Sequence, residues 1–179
     1  HPPVKHNVNG KTPEIQKIID AAVETYKQNA VDLFTDCPSR ERAGWLCDSF
    51  FTSRVEKVLT GKSEIEKVFL ENFFLPDNFS WLPKGMFPMC YPADHRFGRH
   101  IPSWGMFLVV ELRDYLERTG NREFVDRFKD KVYGLIEHFK EFENSDGLLE
   151  DLKSWVFVEW SRANDTDMVQ GINYPNNMM

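Results

Sequence analysis

The stretch Thr35-Asp36-Cys37-Pro38-Ser39-Arg40-Glu41-Arg42-Ala43-Gly44-Trp45-Leu46-Cys47-Asp48 gathers three carboxylates, two arginines and a tryptophan around a proline break. Pro38 disfavours helix at Cys37, which puts Asp36 on an extended approach segment. Ser39 is a good N-cap, so the reading predicts a helix from Ser39 or Arg40 onward. On that helix Glu41, Trp45 and Asp48 fall at i, i+4 and i+7, a single stripe. An ordinary solvated surface has no need of that tryptophan. A sugar-binding face does.

Outward from this stretch the chain reads as successive helices. Thr12 caps and Pro13 opens a first helix to about Phe34, with Ile15, Ile18, Ile19, Ala22, Val23 and Tyr26 as its apolar stripe. The second helix carries Trp45, Phe50, Phe51, Val55, Val58 and Leu59 and stops at Gly61. Ser63-Glu64-Ile65-Glu66 is a capping box opening a third helix, which ends near Phe74 before Pro76. Pro102 introduces a fourth helix from Trp104 to Thr119, ended by Gly120, and Asn121 caps a fifth running to about Phe142. Trp155 to Trp160 is a short aromatic segment, and Pro175 opens a sixth helix. Phe69, Phe73, Phe74, Phe124 and Phe128 are core candidates. With no βαβ alternation and no hairpin signal, the expected class is all-α, and a bundle, a solenoid and an α/α barrel all remain compatible with it.

Between Asp77 and Ile101 no helical period is found. A stretch of that length without structure is usually functional. Its Trp81, Tyr91, Asp94, His95, Arg96 and Arg99 suggest a lid or wall over a polar cleft. The chain of 179 residues suffices for one domain with a sizeable core. A net charge of −6 argues against nucleic acid or an anionic membrane surface as partner. No apolar run approaches the roughly 18 residues of a membrane span. The first residues lack the apolar core of a signal peptide. A start without Met suggests a piece of something longer, which leaves periplasmic, extracellular and cytoplasmic locations open. Five histidines are little material for a metal centre, Cys90, His95 and His100 lack zinc spacing, and no cofactor is expected. Asn164 to Asp167 lacks the glycine and distal glutamate of a calcium loop.

The pattern Asp36-Cys37-Pro38-x-Arg40-Glu41-x-x-Gly44-Trp45-x-x-Asp48 resembles the signature of the α-L-rhamnosidases of glycoside hydrolase family 78. Ile101-Pro102-Ser103-Trp104 and Phe157-Val158-Glu159-Trp160 are similar to two further segments of that family. The resemblance implies an (α/α)6 barrel of which residues 1–179, as a single domain, form about the first half, an open arc with a long active-site loop at about 77–101. It further implies inverting hydrolysis of terminal α-L-rhamnosyl bonds, with Glu41 as general acid. Asp36, Arg40, Trp45, Asp48, Trp104, Glu159 and Trp160 would bind the sugar. No general base is found between His1 and Met179, so the remainder of the polypeptide is an implied partner beside the rhamnose-containing glycoside.

Such chemistry needs a proton donor and a water-activating carboxylate roughly 6.5–9.5 Å apart. A general acid works with a raised pKa, which burial beside Trp45 and the charges of Asp36 and Asp48 would favour at Glu41. Arg40 and Arg42 oppose it if they point inward. Asp36, Glu41, Trp45 and Asp48 are expected to converge on one cavity walled by Trp104 and Trp160. Phe73, Phe74 and Phe139 are expected on the unclosed flank of the arc. The plainer reading makes Arg40, Glu41 and Arg42 a solvated helix start and Trp45 a core residue. A non-catalytic helical carbohydrate-binding or scaffold module would use the same residues only to hold sugar.

Overall fold

A computed structural model describes residues 3–5, 8–93 and 98–157 of the chain. Six helices are present among them: α1 (Pro13–Asn29), α2 (Leu46–Thr60), α3 (Glu64–Phe74), α4 (Pro102–Thr119), α5 (Arg122–Asp126) and α6 (Lys129–Lys140). Among the described residues there is no strand, only the isolated bridges Ala30 to Phe34, Trp45 to Cys90 and Glu143 to Leu149. The all-α expectation is met. Glu159, Trp160, Asp94, His95, Arg96, Asn164 to Asp167 and the helix expected at Pro175 lie outside the described residues.

The punctuation seen in the sequence acts largely as expected. Thr12 accepts the Ile15 N–H at the start of α1, and Asn121 accepts the Phe124 N–H at the start of α5. Pro102 sits in the first turn of α4, where its missing N–H costs nothing. Gly61 and Gly120 end α2 and α4 at φ 76° and 70°, a left-handed conformation that a side chain would strain.

Helix α4 is the hub: α2 packs most extensively against it, and α3, α5 and α6 also lie on it. Phe69, Leu70, Phe73, Leu108, Leu112, Tyr115, Phe124, Phe128 and Leu135 fill the interior between them. The start of α3 is held from outside its own sequence. Ser63 makes no capping bond, and the buried Glu56 of α2 accepts the N–H groups of Ile65 at 2.9 Å and Glu66 at 3.0 Å instead. One carboxylate thus satisfies two of the donors that a helix start leaves open, and ties α3 to α2.

Several expectations are corrected. Helix α1 ends at Asn29 rather than near Phe34, because the Thr35 N–H turns back to the Asn29 carbonyl and Ala30 bridges to Phe34. The expected fifth helix is two: Arg127 and Phe128 bond three residues back, to Phe124 and Val125, and this tighter turn lets both Phe124 and Phe128 face the core. Helix α2 begins at Leu46, so Glu41 is not on it and the stripe of Glu41, Trp45 and Asp48 does not exist. The described residues between Asp77 and Ile101 also contribute to the core: Phe79, Met86, Phe87, Met89, Cys90 and Ile101 are buried. Phe73 and Phe139 are buried too, since α3 and α6 turn them toward α4. Exposed apolar residues include Ile18 on α1 and Phe51, Val55 and Val58 on α2. A groove of about 530 Å³ runs between these helices, lined among others by Ile19, Val23, Tyr26 and Leu59.

Removing the Glu56 carboxylate should expose how far α3 depends on it. Glu56→Ala is expected to lower the unfolding free energy by about 2 kcal/mol, since two buried N–H groups lose their partner. Glu56→Gln, with one acceptor oxygen, should recover about half of that. Urea denaturation of the three proteins measures both.

Candidate active site

The motif folds as a closed loop followed by a helix start. Asp36 and Ala43 exchange two bonds across the loop: the Asp36 N–H donates to the Ala43 carbonyl at 3.1 Å, and Asp36 Oδ1 accepts the Ala43 N–H at 3.0 Å. Arg42 turns the chain at φ 52° and donates from Nε to the Pro38 carbonyl at 3.0 Å. The next residues are stitched to a distant segment. The Tyr91 N–H donates to the Gly44 carbonyl at 3.0 Å, and the Leu46 N–H donates to the Met89 carbonyl at 3.1 Å. Gly44 is required here: a Cβ would stand 2.5 Å from the Tyr91 carbonyl oxygen.

Within this frame three carboxylates come together. Donor atoms of Asp36, Cys37 and Glu41 lie within 4.8 Å of one another. Asp48, in the first turn of α2, feels the charges of both Asp36 and Glu41. Trp45 and Trp104 pack on the apolar cluster of Ala43, Met89, Cys90 and Ile101 immediately behind the loop. Trp155 and Phe157 join the same cluster, and the Arg99 guanidinium lies over the Trp155 ring at 4.5 Å. The sequence reading placed these last three in a loop and an aromatic segment without assigning them to the site. The alternation of Trp155 and Phe157 on one side was the available signal.

The electrostatics reverse one expectation. Glu41 was to be the carboxyl with the raised pKa. Instead, Arg40 Nη2 stands 2.6 Å from Glu41 Oε1, and the Cys37 thiol donates to Oε2 at 3.1 Å. These two contacts, the guanidinium first, hold the Glu41 carboxyl down at about 2. The carboxyl that is pushed upward is Asp48, first by burial and then by the neighbouring negative charges of Asp36 and Glu41. The reason lies in the neighbours: Glu41 is within reach of the Arg40 guanidinium and the Cys37 thiol, whereas the charges acting on Asp48 at the start of α2 are those of Asp36 and Glu41. The Cys90 thiol, buried beside Asp36 and Asp48, is pushed up to about 12, which removes it as a nucleophile near neutral pH. Asp36, Cys37 and Glu41 are close enough to share a cation, but Glu41 already carries the Arg40 guanidinium.

Comparison with known proteins agrees with this architecture. The fold is similar to that of a family 78 rhamnosidase of Bacillus sp. GL1, at 23% identity and a TM-score of 0.77 over 91% of this chain and 17% of that one. It is also similar to a rhamnosidase from Klebsiella oxytoca solved with rhamnose bound, at 20% identity and a TM-score of 0.73 over 88% of this chain and 31% of that one. The chain therefore spans less than a third of the length of either. No curated protein matches the sequence. The family of the bacterial alpha-L-rhamnosidase six-hairpin glycosidase domain matches residues 5–177, nearly the whole chain. With its helical architecture and its clustered carboxylates, the chain belongs to that family, as a rhamnosidase-like glycoside hydrolase domain.

Proposed function

We propose that this chain is the acid half of an inverting glycosidase that hydrolyses terminal α-L-rhamnosyl bonds. The observation that supports the reading is the clustering of Asp36, Glu41 and Asp48 next in sequence to Ala43 and Trp45, which with Trp104 belong to one apolar cluster. Ionised carboxylates accept sugar hydroxyls strongly, and indole faces suit the apolar side of a sugar ring. Glu41 gives its proton to the leaving oxygen, and Asp36, Asp48 and the freed Arg40 hold hydroxyls. By the family resemblance, Glu159 and Trp160 are also proposed as sugar ligands.

Glu41 must first shed the Arg40 guanidinium. Arg40 has 84% of its side chain exposed, so the pair is a weak surface contact that a bound sugar can displace. Free-enzyme geometry often changes when substrate binds. The water-activating carboxylate belongs to the remainder of the polypeptide. We seat that remainder against the apolar groove of α1 and α2, whose exposed Phe51, Val55 and Val58 offer it a dry surface.

One observation favours the second reading, a non-catalytic carbohydrate-binding or scaffold module. An ionised Glu41 paired with Arg40 is suited to hold hydroxyls rather than to donate a proton.

Three measurements separate the readings. In the full-length polypeptide, Glu41→Gln should lower kcat on an aryl rhamnoside by about 10²–10⁴-fold while KM changes little, because the amide cannot donate the proton. Wild-type turnover would move the acid elsewhere. Arg40→Ala should let Glu41 titrate upward from about 2 toward 4.5, followed by carbon NMR of the carboxyl. An unchanged titration would show that Cys37 alone holds it down. The 179-residue chain by itself should show no turnover above background, and turnover that Glu41→Gln abolishes would place the base within it.

A further inference from the structure

Behind the carboxylate cluster lies a fourth acid that the proposed chemistry does not use. Glu111 of α4 is fully buried, and its Oε1 stands 2.5 Å from the Ser49 Oγ of α2. The same Oγ stands 2.5 Å from the Leu46 carbonyl oxygen, within α2's first turn. A serine hydroxyl carries one hydrogen, and a carbonyl carries none. If Ser49 donates to Leu46, the contact with Glu111 needs a hydrogen from Glu111. If Ser49 donates to Glu111, two oxygens face each other at 2.5 Å with none between them. Only a protonated Glu111 gives both contacts a hydrogen.

We propose that Glu111 is a positioning residue: as a neutral carboxylic acid it donates to Ser49 and fixes the first turn of α2, which carries Asp48, against α4. The positioning half of this inference rests on the reading of Asp48 as a sugar ligand. The surroundings favour the neutral form. Burial acts first, and the charges of Glu66 on α3 and Asp114 on α4 act the same way. Arg118 on α4 opposes them but is already engaged by Glu66 and Asp114, and Ser49 on α2 would oppose them only as a donor, whereas here it accepts. Cys47, also on α2, has its thiol pushed up by burial, by Asp48 and by Glu111, so it brings no positive partner.

The sign of the pH dependence follows. The unfolded chain ionises Glu111 near the ordinary carboxylate value of 4.5, whereas the folded protein holds the proton well above it. The stabilisation is complete below the unfolded value and is lost as pH rises toward the folded one. Glu111→Gln keeps a donor toward Ser49 but never ionises. Its melting temperature should therefore gain on that of the wild type by about 3 °C or more between about pH 4.5 and pH 8. Parallel melting curves would overturn the protonated carboxyl.

The positioning role is read from kinetics of the full-length polypeptide on an aryl rhamnoside. Glu111→Leu should raise KM about tenfold with a smaller change in kcat, and Glu111→Gln should restore KM. An unchanged KM in the leucine variant would overturn the role. Where that variant fails to fold, Ser49→Ala removes the acceptor and should raise KM in the same way, with an unchanged KM again overturning it. A wild-type protein without rhamnoside hydrolysis overturns the positioning role together with the reading it rests on, and the melting curves still decide the protonated carboxyl.

Discussion

Gly44 to Leu46 pair with Met89 to Tyr91, and that short antiparallel contact decides where α2 can begin. Backbone groups that would close a first helical turn through Ser39 to Ala43 are committed to the loop and to the distant segment. The helix therefore starts at Leu46, Asp48 falls in its first turn, and Glu41 stays outside on the loop. The same pairing draws Met89, Cys90 and Ile101 under the motif and provides the apolar floor on which Trp45 and Trp104 rest.

The frame around the site was legible wherever its cause is local. Pro13, Pro102, Gly61, Gly120 and Asn121 act through φ angles or bonds to near neighbours, and the helices they bound lie close to where the sequence reading put them. What the sequence did not disclose depends on residues far apart. Ser63 looks like a cap, but Glu56 takes its place because packing brings a carboxylate from the previous helix to that start. Ser39 looks like a cap as well, and the pairing with Met89 to Tyr91 overrides it. The stretch after Asp77 has no period because it is irregular backbone, yet its Phe79, Met86 and Phe87 serve the core as helical residues would.

For the candidate site, the grouping of the carboxylates was legible and their electrostatics were not. Family-like spacing singled out Asp36, Glu41 and Asp48, and the structure sets them together. The opposite shifts of Glu41 and Asp48 depend on burial and on the side taken by Arg40, and neither can be read from spacing. Glu41 and Asp48, seven residues apart, are shifted in opposite directions, Glu41 down and Asp48 up.

The contrast between Gly44 and Arg40 has a practical side for anyone reshaping this domain. A mutagenesis library that randomises position 44 spends its diversity on misfolded variants, because even a methyl group collides with the Tyr91 carbonyl. Position 40 is the opposite kind of handle: its guanidinium projects into solvent and touches the carboxylate it controls. Substitution there reaches the proton affinity of Glu41 through a surface residue that packs against nothing in the core.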